Sequence, residues 1–142
     1  MKTPWIEEQQ LQRALERNEA FWDGALDGSP LLWLAVPNAK TGTPPPEPDC
    51  DEALWTDLDY FVAATEDRLA RTWYGGDALP VSNPWLGPDQ FAAWLGAEME
   101  LKPRENTSWV KPFVEDWNNC PEFHIAPDNP WWRLYLRSEE QT

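Results

Sequence analysis

"PLLWLAVP", Pro30 to Pro37, is the stretch on which the fold turns. It is a short, continuous apolar run closed by proline at both ends. A half-exposed strand alternates apolar and polar residues, whereas this one is apolar at successive positions. It therefore reads as a strand buried on both faces, the kind found in parallel sheets. What lies on either side decides whether such a sheet can be built.

Upstream, Ile6 to Trp22 reads as an amphipathic helix, with Leu11, Ala14, Leu15, Phe21 and Trp22 near the i, i+3, i+4, i+7 rhythm and Gly24 and Gly28 closing it. Downstream, "NAKTGTPPPEPDCDE" is a loop rich in proline and turn formers. A second helix follows. Thr56 is the expected N-cap, Leu58, Phe61, Val62, Thr65, Leu69 and Trp73 form one stripe, and Gly75 and Gly76 act as the stop. "DALPVSN", Asp77 to Asn83, is a second strand candidate that carries Pro80, and "GPDQFAAWLG" is a short helix begun by Pro88 and ended by Gly96. Helix, strand, helix, strand, helix predicts βαβ units with right-handed crossovers.

Beyond Gly96 the rhythm is lost. "AEMELKP" and "TSWVKPFVEDW" are short, aromatic and broken by proline, and fit either two edge strands or a long excursion. "PDNPWWRLYLRSEEQT" then opens a last helix, with Asp128 or Asn129 as cap, Pro130 in the first turn and Trp131, Leu134 and Tyr135 on one side. That helix reaches Thr142 without a closing Gly or Asn, so the chain reads as cut short and the 142 residues as self-associating or marginally folded. No internal repeat is present.

The totals narrow the classes of function. Residues 1–142, 42% hydrophobic, suffice for one domain with a core. Eleven Lys and Arg against 25 Asp and Glu give a net charge of -14, which argues against nucleic acid and anionic membrane surfaces, since both are bound through clustered basic residues. With no apolar run of about 20 residues and an acidic N-terminus, the chain reads as cytoplasmic. Cys50 and Cys120 read as free thiols. Cys120 and His124 have i,i+4 spacing, but Pro121 lies between them and no third ligand is apparent, so no metal site is expected. His124 reads as a loop residue, and no nucleophile motif or phosphate-binding loop is found. Fifteen prolines imply many fixed turns, and eleven tryptophans imply large apolar pockets to fill or flat ligands to stack on.

Ligands of α/β sheets meet the loops after the strands, here Asn38 to Lys40 and Ser82 to Trp85. Glu115 and Asp116, set among aromatics, are the carboxylates least readily assigned to a solvated helix face.

The order "EAFWDGALDGSPLLWLAVPN", "WTDLDYFVAATEDRLARTWYGGDALPVSNPWLGPDQFAAWLG", "NTSWVKPFVEDW" and "NPWWRLYL" resembles the N-terminal part of uroporphyrinogen decarboxylase-like proteins over nearly the whole chain. The resemblance implies a partial (β/α)8 barrel, α/β in class, holding the leading helix, two strands with their helices and an aromatic excursion. It also implies a flat tetrapyrrole or corrinoid as ligand, with decarboxylation or methyl transfer as the reaction of a complete relative. In that frame Asn83, Trp85, Trp109, Lys111 and Glu115 are the expected ligand-facing residues, with Trp109 and Trp117 packed inward over the barrel mouth. Two features depart from the decarboxylases. Lys40 alone stands where they carry an arginine-rich segment, and Asn83 stands where they carry the catalytic aspartate, which predicts no activity on uroporphyrinogen. Catalytic residues are not identified. No cofactor is expected in this chain, and a corrinoid or zinc belongs to later parts of a full-length relative. The alternative is a stand-alone α+β module that binds a protein or a carbohydrate through its tryptophans.

Overall fold

The computed structural model describes residues 5–39 and 43–141. Lys40, the expected counterpart of the arginine-rich segment, lies outside the described residues. Helices and two small sheets alternate along the chain, which divides into two compact units, one ending at Pro45 and resuming over Ala64–Ser82, the other formed by Pro46–Ala63 and the chain from Asn83 onward.

In the first unit, helix α1 (Glu8–Trp22) buries only Leu11 and Ala14 of its expected stripe, while Leu15, Phe21 and Trp22 are exposed. Gly24, at φ +66°, ends it as expected, because the left-handed turn after a helix is strained for any residue with a Cβ. Strand β1 (Trp33–Pro37) does not enter a parallel sheet. It pairs antiparallel with β2 (Thr72–Gly76), Ala35 lying opposite Tyr74 and Trp33 opposite Gly76. Every residue of β1 is exposed, so burial on both faces is likewise not observed.

The reason lies in β2, which the periodicity had merged with the preceding helix. Helix α3 (Leu58–Ala70) stops one turn earlier than expected, and Thr72, Trp73 and Tyr74, all good strand formers, run extended. Gly75 and Gly76 therefore serve a ribbon and do not end a helix. A Cβ on Gly75 would strike the Trp73 ring at 2.4 Å, and one on Gly76 would lie 2.3 Å from the Leu32 carbonyl oxygen. The stretch from Asp77 to Asn83 forms no strand. The Asp77 amide adds one more bond to Leu32 O at 2.7 Å, and beyond it Pro80 has no N–H to offer.

Asp77 ties this unit together. Only 6% exposed, its carboxylate accepts from Arg17 Nε of α1 at 2.7 Å and from the Leu32 amide at 2.9 Å. Its own carbonyl accepts from Asn18 Nδ2 at 3.0 Å, and Gln10 Nε2 donates to Tyr74 O at 2.7 Å. The polar face of α1 thus fixes the end of β2, and Leu69, Tyr74 and Ala78 form the small apolar cluster beside it.

The second unit opens with a single turn, α2 (Ala53–Thr56), and with the start of α3. Asp57 caps α3 in place of Thr56: Asp57 Oδ1 accepts from the Tyr60 amide at 3.1 Å, while the Thr56 hydroxyl is turned back to Glu52 O. Helix α4 (Gln90–Trp94) closes at Gly96, φ +101°. Of the two readings of the aromatic stretch, a pair of strands is observed. β3 (Met99–Lys102) and β4 (Thr107–Val110) form an antiparallel hairpin, turned by a 3-10 segment at Pro103–Glu105 and by Asn106 in the left-handed region at φ 52°. Asparagine tolerates that conformation better than most residues.

Helix α5 (Pro130–Gln141) is capped by Asn129, whose Oδ1 accepts from the Trp131 and Trp132 amides at 3.0 Å each. The other end of the same amide donates to Ala93 O and Trp94 O at 2.9 and 3.2 Å, closing the C-terminal end of α4. Trp94 meets Trp132 and Tyr135 at centroid distances of 5.1 and 4.8 Å.

Candidate functional site

Alternation in "AEMELK" and "TSWVK" sets the chemistry of the β3–β4 ribbon. Successive side chains of a strand point to opposite faces, so Glu98, Glu100, Trp109 and Lys111 share one face, and Met99, Leu101, Ser108 and Val110 the other. Exposure follows the pleat. The first set is exposed, and the second is intermediate or, at Ser108, buried.

On the exposed face Glu100 lies directly opposite Trp109. The Lys111 amide bonds to Glu98 O at 2.9 Å, extending the ladder, and Lys111 Nζ reaches Glu98 Oε1 at 2.7 Å. Lys102 Nζ pairs with Glu100, and this hydrogen bond holds the Glu100 carboxyl below its ordinary range. Such exposed pairs are screened by water, so their role is to fix side-chain positions more than to stabilise. Arg104 grips Glu47 at 2.6 Å and Asp51 at 2.9 Å, anchoring the segment that leads to Glu52. A groove of about 430 Å³ runs along the ribbon, lined by Glu52, Glu98, Glu100, Trp109, Lys111 and Trp131 and also by Met99, Leu101 and Val110 of the other set.

Of the five residues expected to face a ligand, Trp109 and Lys111 line this groove, while Asn83, Trp85 and Glu115 do not. All five are exposed. Inward packing of the two tryptophans is not observed: Trp109 is 62% and Trp117 75% exposed. Trp109 falls on the outer phase of the hairpin, and Trp117 stands in a 3-10 turn capped by Asp116, which accepts from the Asn118 amide at 2.9 Å. Pro112 ends the ladder between them, since it has no N–H to donate.

His124, Cys50 and Cys120 are exposed, and among the described residues no group of three or more metal-ligating side chains is found. Among the same residues no helix is long and apolar enough to cross a membrane. Glu98 and Glu100 were not singled out in the sequence, although the period-two spacing of "EME" is the signal that puts them on one face of a strand. Glu52 and Trp131, far away in sequence, carried no such signal. The groove offers an aromatic face, hydrogen-bond acceptors and one ammonium, a set suited to binding. No family model, curated protein or solved structure matches this chain.

Proposed function

We propose that this chain is the leading part of a uroporphyrinogen decarboxylase-like enzyme, a partial (β/α)8 barrel whose complete form acts on a tetrapyrrole, corrinoid or similar ligand by decarboxylation or methyl transfer. The observation that carries this reading is β1. Leu32, Trp33, Leu34 and Val36, with Trp73 across the ribbon, leave their apolar side chains exposed, a surface of the kind that further layers of a larger fold cover. The order of the segments resembling that family supports it too. Barrel strands are parallel, and neither the antiparallel β1–β2 ribbon nor Ala78 to Asn83, which forms no strand, supplies one here, so the reading rests on the uncovered apolar surface and the order of the segments.

On this reading the chain binds and does not transform its ligand. Asn83 brings no negative charge to the position where the decarboxylases have an aspartate. Titration with a porphyrin and with a corrinoid, followed by the Soret band and tryptophan quenching, is the test. A saturable response weakened by Trp109→Ala or Trp85→Ala is expected, and silence with both ligands would sink the proposal. Release of carbon dioxide from uroporphyrinogen by an Asn83-containing full-length relative, at roughly 1 to 1000 per second, would overturn the role given to Asn83.

The ribbon groove favours a second reading, an α+β interaction module. An indole ringed by Glu98, Glu100 and Lys111 can stack on the face of a sugar while the charged groups meet its hydroxyls. Glycan or protein binding, lost in Trp109→Ala and unaccompanied by tetrapyrrole binding, would shift the conclusion to this module.

A further inference from the structure

The first unit contains a cavity of its own, of about 560 Å³. The antiparallel register puts Trp33, Ala35 and Tyr74 on one face of the β1–β2 ribbon, and all three line it. Arg68 and Arg71, at the end of α3, supply its charge, and Ala78, Leu79 and Val81 make the rest of the wall apolar.

Three donors at this cavity stand out. Arg68 has no carboxylate within ion-pair distance among the described residues, and its Nη2 donates only to Val81 O, at 3.2 Å. Arg71 pairs with Asp67 through Nη2, yet its Nε is buried without an acceptor. Tyr74 is only 5% exposed, and its hydroxyl is also buried without a partner. Buried polar groups are ordinarily hydrogen-bonded, and each exception is held at a cost in free energy.

We infer that this cavity binds a small organic anion, a carboxylate on a flat apolar body. The carboxylate offers acceptor oxygens to Arg68, and to Arg71 Nε and the Tyr74 hydroxyl once those two side chains turn toward the cavity, since both atoms are shielded from solvent in the ligand-free protein. The apolar body lies against Trp33, which is 52% exposed, and against Leu79 and Val81. Carboxylates suit guanidinium groups because two N–H bonds run parallel to two oxygens. A neutral apolar ligand would leave the same donors unmet, and a bare inorganic anion would leave the apolar wall uncovered. The inference does not depend on the barrel reading, since it uses the first unit alone.

The test uses the whole chain and three probes, 1-naphthoate, its neutral isostere 1-naphthamide, and acetate, with binding followed by calorimetry and by indole N–H chemical shifts. Naphthoate is expected to bind with saturation, and naphthamide and acetate roughly tenfold more weakly or not at all. Arg68→Gln, at an exposed position, should weaken naphthoate by a similar factor. Tyr74→Phe gives a readout of opposite sign: removing an unpartnered hydroxyl should raise the melting temperature of the ligand-free protein while weakening naphthoate. Equal affinity for naphthoate and naphthamide, unchanged affinity in Arg68→Gln, or no naphthoate binding would each overturn the inference.

Discussion

Asp77 shows how much one side chain decides here. The Leu32 amide and the Arg17 guanidinium together hold its carboxyl below the ordinary range, against the opposing effect of burial. A depressed folded-state value means that the stabilisation is present above the unfolded pKa of about 3.9 and is lost as pH falls through the lower folded value. Asp77→Asn puts an amide donor where two donors already converge. It is expected to destabilise by about 2–3 kcal/mol at neutral pH and by clearly less near pH 3. Urea unfolding at both pH values checks this, and an equal loss at both would refute the role given to the carboxylate. Glycine positions allow a second residue-scale comparison. Gly87 has φ +92°, and an added Cβ would lie 2.2 Å from Ser108 Oγ, whereas Gly24 has φ +66° and open space around it. Gly24→Ala should therefore cost about 1–2 kcal/mol of backbone strain alone. Gly87→Ala should cost measurably more, read as a larger fall in thermal midpoint. Equal falls would mean that Ser108 moves aside freely.

Among the elements, α5 depends on its cap more than its length suggests. Asn129 satisfies two amides of α5 and two carbonyls at the end of α4, so Asn129→Ala removes four hydrogen bonds with one side chain. A loss of about 2 kcal/mol or more is expected, against about 1 kcal/mol for an ordinary cap. Asn129→Asp separates the two functions, because it keeps the acceptor for α5 and loses the donors toward α4. Its midpoint should fall between those of the wild type and the alanine variant, and a midpoint equal to the wild type's would refute the α4 contribution. The termini of α1, α4 and α5 were legible because Gly24, Gly96 and Pro130 act through their own backbone. The boundary between α3 and β2 was not. Trp73 fits a helical stripe and a strand equally well when only spacing is considered, and what separates the two is pairing with β1, more than thirty residues away.

For the whole molecule, the exposed apolar ribbon of Trp33, Leu34, Val36 and Trp73 leads to a prediction about association. A strand pair with open edges and apolar side chains in water is a site for contact with another copy or a further chain. Sedimentation is expected to show mass rising with concentration, and Leu34→Lys with Val36→Lys should suppress the rise. A monomer at every concentration, with a cooperative melt at high temperature, would refute this. By itself the sequence determined the acidic character of the molecule and the presence and type of most helices, and it held a pair of strands after Gly96 as one of two readings. Each follows from composition or from a pattern within a dozen residues, where backbone preference and side-chain period act directly. Only the tertiary structure decided that β1 pairs antiparallel with β2, that Asp77 to Asn83 forms no strand, and that Glu52 and Trp131 join the ribbon groove. It also decided that Arg68, Arg71 and Tyr74 share a cavity. The physical reason is common to these four: a strand's partner and a pocket's walls are set by which distant surfaces meet, and the local run "PLLWLAVP" is equally compatible with either pairing.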